Sequence, residues 1–152
     1  MPTFETKRHV PFSAEQMYAV VADVEHYPEF LPLCTGLTIS SRQKTNEGEQ
    51  LVARMSVGYK AIRESFTTRV LLKPQDKCID VSYLDGPFKY LDNRWMFLEE
   101  PNGSIVDFYI SYEFRSILLG AVVGGMFEQM FRKFTEAFEA RAHKVFGPPE
   151  TS

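Results

Sequence analysis

Ser116–Phe146 reads SILLGAVVGGMFEQMFRKFTEAFEARAHKVF and contains no proline. Its apolar residues fall at Val123, Phe127, Met130, Phe131, Phe134, Phe138, Ala142 and Val145. Steps of three and four put these on one side of an α-helix. The other side carries Glu128, Gln129, Arg132, Lys133, Glu136, Glu139, Arg141 and Lys144, and Gly147-Pro148-Pro149 ends the pattern, because a proline ring breaks the hydrogen-bond ladder. Taken as one helix from Ile117 to Phe146, it is roughly 45 Å long at about 1.5 Å per residue. The pair Gly124-Gly125 is the expected bend, since two glycines weaken a helix. Ile117–Val123 is apolar nearly all round and is expected to be buried, the other reading being a small membrane-touching patch. A rod with four phenylalanines on its buried side needs a broad apolar surface to lie against, and the preceding residues are read for one.

They supply a sheet. Thr3–Phe12 alternates, with Phe4, Val10 and Phe12 on one parity and Glu5, Lys7 and His9 on the other, which predicts a first strand. Ser13-Ala-Glu-Gln16 has the form of a capping box, and Met17, Val20, Val21 and Val24 give the helix after it an apolar face. The stretch HYPEFLPLC, His26–Cys34, carries two prolines among Tyr27, Phe30, Leu31 and Leu33. It predicts a loop or short helical turn whose large apolar side chains are buried or offered to something else. From Gly36 the period becomes two. A strand at Leu37 and Ile39 is expected to fade through Ser40–Lys44. Alternating runs then centre on Leu51–Tyr59, Phe66–Leu72, Ile79–Tyr83, Leu91–Phe97 and Val106–Phe114, separated by short turns such as Pro74–Lys77, Asp85-Gly-Pro87 and Pro101-Asn-Gly103. Short connections argue for an antiparallel sheet. The fold class is therefore α+β: a curved antiparallel sheet of about seven strands wrapped around a long C-terminal helix, with two short helices after the first strand.

The chain has 152 residues, 44% apolar and 24% charged, enough for one domain with a substantial core. The domain is drawn at 1–147, leaving 148–152 as a loose tail. The net charge of −3 implies no general polyanion-binding surface and argues against DNA as a partner. Cys34 and Cys78 lack metal-ligand spacing and read as buried thiols of a reducing compartment. No pair of His9, His26 and His143 has metal-ligand spacing either, and no phosphate loop is present. The N-terminus lacks the apolar core of a signal peptide, and the longest apolar run, Ile117–Met126, is too short to span a bilayer. The expected localisation is cytoplasmic, with contact at the inner face of the membrane as its extension.

The parity that should face the helix holds Leu51, Ala53, Met55, Val57, Phe66, Val70, Leu72, Ile79, Val81, Trp95, Phe97, Val106, Phe108, Ile110 and Phe114. Its polar members are Thr68, Asn93 and the hydroxyls of Tyr59, Tyr83 and Tyr112. It offers neither a general acid or base nor an activated nucleophile. Neutral hydrogen-bonding groups in an apolar wall suit an apolar ligand with a few polar oxygens. The chain is accordingly read as a binding protein and not an enzyme. Most of this face is first of all core; the candidate ligand contacts are Asn93 on the sheet and Phe127, Met130, Phe131 and Phe134 on the helix.

Four stretches carry a resemblance: Pro11-Phe-Ser-Ala14; Tyr27-Pro-Glu-Phe-Leu-Pro-Leu-Cys34; Gly86-Pro-Phe-Lys-Tyr-Leu91 leading to Trp95-Met-Phe97; and Val106–Phe114 followed by the Phe-rich helix. Over about Thr3–Val145 the chain resembles the coenzyme Q-binding START-like family of the polyketide cyclase/START superfamily, which includes ribosome-association toxin relatives. The resemblance implies the helix-grip fold and a cavity for ubiquinone or another isoprenoid lipid. It also implies a carrier or chaperone role supporting respiration or quinone biosynthesis, with no cofactor beyond the bound quinone. It carries over Tyr27, Pro28, Phe30, Leu31 and Pro32 of the proline loop, then Phe88, Lys89, Leu91 and Trp95, as ligand-binding positions. Lys89 would reach a quinone oxygen if it points inward. Two other readings stand beside it. One is a ribosome-associated regulator using Arg54, Arg63, Arg69, Lys73 and Lys77 on an exterior face. The other is an aromatase/cyclase-like enzyme, which requires a titratable group in the cavity.

Overall fold

The computed structural model describes residues 3–148; four of the five residues assigned to the tail, 149–152, lie outside them. Strand β1 (Thr3–Val10) is followed by α1 (Ala14–Ala22) and a short 3-10 helix (Val24–Glu29). Six strands follow: β2 (Cys34–Lys44), β3 (Glu49–Tyr59), β4 (Ile62–Lys73), β5 (Cys78–Asp85), β6 (Phe88–Glu100) and β7 (Gly103–Phe114). The chain closes with α2 (Ile117–Arg132) and α3 (Phe134–Phe146). All neighbouring strands pair antiparallel in the order β1-β7-β6-β5-β4-β3-β2.

The local reasons are visible in the residues. The Ser13 hydroxyl accepts from the Gln16 amide at 3.0 Å and the Gln16 side chain accepts from the Ser13 amide at 3.0 Å, so the capping box forms as its sequence predicts. Strand β2 does not fade: it pairs with β3 as far as Lys44↔Glu49, because paired backbone holds a strand whose side chains are polar on both faces. Cys34 is buried, Cys78 half-buried, and burial pushes the Cys34 thiol up to about 11.

The C-terminal rod is two helices, not one bent at Gly124-Gly125. The break falls at Lys133, whose amide turns back to the Met130 carbonyl at 3.2 Å. The two pieces have different supports: α2 lies against β7, and α3 against α1. A straight rod cannot follow both. Two of the three glycines of α2, Gly120 and Gly124, serve contact instead. The Phe114 ring lies against the helix there, and a Cβ on Gly120 would stand 3.1 Å from the Phe114 ring carbon Cδ2.

The buried side of the rod is largely as read, with Val123, Phe127, Met130, Phe131, Phe134, Phe138 and Ala142 in the core. Val145 is exposed, while His143 and Phe146 of the same turn pack against Phe12. The first turns of α2 also depart from expectation: Ile117 is 95% exposed, Leu118 78% and Val122 57%. On the far side of that segment Val123 is buried and Leu119 packs, partly buried, against the core.

Candidate functional site

Between the sheet and the two helices lies a cavity of about 60 Å³. Ala53, Met55, Phe66, Thr68, Val70, Ile79, Val81, Leu91, Asn93, Trp95 and Ile110 form its sheet wall. Phe131, Phe134 and Phe138 form its roof, and Val24, Tyr27 and Leu37 close one end. The alternation of the strands explains the wall: every second residue of β3 to β7 points inward.

The polar groups of this lining are few and neutral. Asn93 Nδ2 donates to the Tyr109 carbonyl at 2.9 Å, and Asn93 Oδ1 accepts from Trp95 Nε1 at 3.1 Å. The Asn93 amide is thus fixed in orientation while keeping one N–H and one lone pair beyond these bonds. Thr68 adds a hydroxyl. The Tyr27 hydroxyl donates to the Val21 carbonyl, and burial, its largest cause, raises that phenol above its ordinary range. Tyr27 is therefore a neutral wall residue, its donor already used. No His, Asp, Glu, Lys, Arg or Cys lines the cavity among the described residues.

Apart from Lys89, the predicted ligand positions separate into three groups. Tyr27, Leu91, Asn93, Trp95, Phe131 and Phe134 line the cavity. Phe88, Phe127 and Met130 are buried but form the layer beside it; Phe88 and Phe127 pack edge to face at 4.9 Å with Phe66 and Phe114 around them. Pro28, Phe30, Leu31 and Pro32 do not reach the lining. Phe30 packs edge to face with Phe138 at 5.3 Å, with the Arg141 guanidinium over the Phe30 ring at 5.0 Å. The proline loop packs as an end wall of the cavity, with Tyr27 its lining residue.

Lys89 departs from the expectation of an inward-pointing cation. Its side chain is 71% exposed, with Nζ 3.5 Å from Glu113. The cause is a register shift between Phe88 and Tyr90, which puts Phe88 and Leu91 on the inner face and leaves Lys89 outside. Phe138, Val24 and Leu37 are lining residues not singled out as contacts, although Phe138 lay on the predicted buried stripe.

At the outer end of this wall His26 bonds to Asp23 at 2.7 Å, and that hydrogen bond, followed by the Asp23 charge, raises its pKa. A raised folded pKa means that the interaction contributes fully below the unfolded value and is lost as pH rises through the folded one. Asp23→Asn is expected to bring the His26 titration, followed by NMR, back toward 6.5, with little effect on stability because both groups are exposed.

A curved antiparallel sheet gripping C-terminal helices around an apolar cavity defines a START-like, helix-grip protein. The chain belongs to the polyketide cyclase / dehydrase and lipid transport family, whose pattern matches residues 10–139. It is 35% identical over 147 residues to a ribosome association toxin of Escherichia coli K12, covering 96% of this chain and 90% of that one. It is 30% identical over 148 residues to a mitochondrial coenzyme Q-binding protein of Dictyostelium discoideum, covering 95% and 71%. The solution structure of an 18 kDa protein from Caulobacter crescentus superposes with a TM-score of 0.78 at 34% identity, covering 97% of this chain and all of that one.

Proposed function

We propose that the protein binds a neutral isoprenoid quinone of the ubiquinone type in the cavity beneath Phe131, Phe134 and Phe138, and carries it without transforming it. The carrying observation is the character of the lining: apolar throughout, with neutral hydrogen-bonding groups on Asn93 and Thr68 and no ionisable group besides a neutral, hydrogen-bonded Tyr27. A quinone presents carbonyl oxygens, which are acceptors. The second Asn93 N–H and the Thr68 hydroxyl are donors of matching kind. The isoprenoid tail contributes affinity through buried area, about 25 cal/mol per Å². Acid–base or nucleophilic chemistry on the guest would need a group that this wall lacks. The relatives named as coenzyme Q-binding proteins support the same reading.

The cavity at about 60 Å³ is smaller than the roughly 300 Å³ at which ligand pockets begin. Binding therefore requires it to expand. Trp95, the single tryptophan, reports occupancy because it lines the cavity. Titration with a short-tailed ubiquinone is expected to quench its emission saturably, and organic extraction of protein from a quinone-producing host to yield quinone. A protein that purifies without quinone and shows no saturable quenching refutes the reading. Asn93→Leu is expected to weaken the quinone about tenfold and to cost about 1–3 kcal/mol of stability, because the Trp95 indole N–H is left buried without its acceptor. Unchanged affinity in that variant would move the head group elsewhere.

A second reading, association with the ribosome, draws on the relatives named for it. Arg54, Arg63 and Arg69 lie on β3 and β4, on the parity opposite the cavity wall. Lys73 is tied to Asp80 at 2.8 Å. Co-sedimentation with ribosomal subunits at moderate salt tests it, and charge reversal at Arg54 and Arg69 should abolish any binding while leaving Trp95 quenching intact.

A further inference from the structure

From Ile117 to Phe127 the helix α2 has no charged or polar side chain, and yet one flank of it is open to solvent. Ile117, Leu118 and Val122 form this flank with Ala121 and Gly125, positions spaced to share one side of a helix. The segment stands as a ridge between two grooves. One groove is bounded by Arg63 and Glu64 of the β3–β4 hairpin, the other by Lys89, Glu113 and Arg115. Lys60 sits at the tip of the same hairpin, its ammonium 5.2 Å from the Tyr59 ring. Arg63 donates to the carbonyls of Lys60 and Ile62 at 2.8 and 3.1 Å, which holds the cationic turn in place. Four cations against two carboxylates thus flank an aliphatic ridge, on a chain whose net charge is −3.

We infer that this end of the molecule docks on an anionic lipid surface, with Ile117, Leu118 and Val122 entering the headgroup–acyl boundary and Lys60, Arg63 and Arg115 meeting lipid phosphates. Aliphatic side chains bracketed by Lys and Arg are what an interface of apolar chains beneath negative headgroups favours. A second copy of this chain is a poorer fit. The three side chains expose on the order of 400 Å², against about 800 Å² that each partner gives to a standard interface. An RNA surface would answer the cations and leave the aliphatics in water. No helix of the described residues is long and apolar enough to cross a membrane, so the contact is peripheral.

The test needs no quinone, so its failure leaves the quinone reading untouched. The protein is centrifuged with vesicles of phosphatidylcholine alone and of equal parts phosphatidylcholine and phosphatidylglycerol. Binding is expected to the anionic vesicles, weakening as salt rises. The double variant Ile117→Asn, Leu118→Asn is expected to lose at least tenfold in partitioning, and Lys60→Glu, Arg63→Glu to lose a similar factor on anionic vesicles alone. Unfolding curves check that these exposed substitutions leave the fold intact. As a second readout, Ile117→Trp should give an emission that shifts to the blue with anionic vesicles, over the constant background of buried Trp95. No binding of the unaltered protein to anionic vesicles overturns the proposal. So does retention of the asparagine variant at full strength, or a concentration-dependent dimer in sedimentation that the same variant abolishes.

Discussion

Gly103→Ala is expected to cost about 3 kcal/mol or more, lowering the melting temperature by roughly 6–12 °C for a chain of this size. Gly103 has φ of 149°, a conformation that residues with a side chain rarely adopt. A Cβ there would stand 2.0 Å from the Val10 carbonyl oxygen and 3.1 Å from the Pro11 Cα. Both obstacles are backbone, so relief means moving the end of β1 away from β7. That end is where Val10 pairs with Ser104, and where Ser104 Oγ donates to the Phe12 carbonyl at 2.8 Å. The start of α1 follows, because the Ala14 amide donates to Glu99 at 3.2 Å. Urea unfolding with an unchanged slope would locate the loss in the folded state. Gly125→Ala is the control: a Cβ there meets nothing within 4 Å, and in a helix interior alanine is expected to stabilise by about 0.5–1 kcal/mol. Neither residue lines the cavity, so quinone affinity well below the melting temperature should stay the same in both. A Gly103→Ala protein as stable as the parent would mean that the hairpin has another way to turn.

The strands were legible in the sequence because burial on one face writes itself as alternation. Leu51, Ala53 and Val57, or Trp95 and Phe97, sit at period two and are buried. The cavity wall follows from the same parity, which is why Asn93 and Thr68 stood out as its polar members. What failed did so where one signal had two causes. The Phe127, Phe131, Phe134, Phe138 rhythm runs unbroken through Lys133, so the periodicity carries no mark of the break; only the Lys133 amide turning back to Met130 reveals it. An all-apolar run such as Ile117–Val122 reads as buried, but its exposure depends on where the sheet ends beneath it. Lys89 was carried in by a motif whose register a bulge then shifted by one residue. The proline loop was legible as apolar and irregular. That it packs against Phe138 depends on the Arg141 and Phe138 side chains of a helix a hundred residues later.

Phe138→Ala separates stability from binding, and both effects are expected to be large. Phe138 is buried, and its ring meets Trp95 and Tyr27 at 5.2 Å, Phe30 at 5.3 Å and Phe134 at 6.1 Å. Truncation of such a ring costs about 3–5 kcal/mol and leaves a void on the order of 100 Å³ where collapse is incomplete. Here that void would join the existing cavity of about 60 Å³, since Phe138 forms part of its roof. The ligand-free variant should therefore melt roughly 10 °C or more below the parent. Quinone in excess stabilises any form it binds, by about 2.7 kcal/mol at a hundredfold excess over Kd. If quinone occupies the cavity, part of the binding energy in the parent is consumed in forcing the roof open. In the variant that space is already present, so the added quinone should raise its melting temperature by more than it raises that of the parent. A quinone bound anywhere else gives the same increment in both proteins, because the void would then be empty in each state. Equal increments would remove the cavity from the account, whatever the affinity.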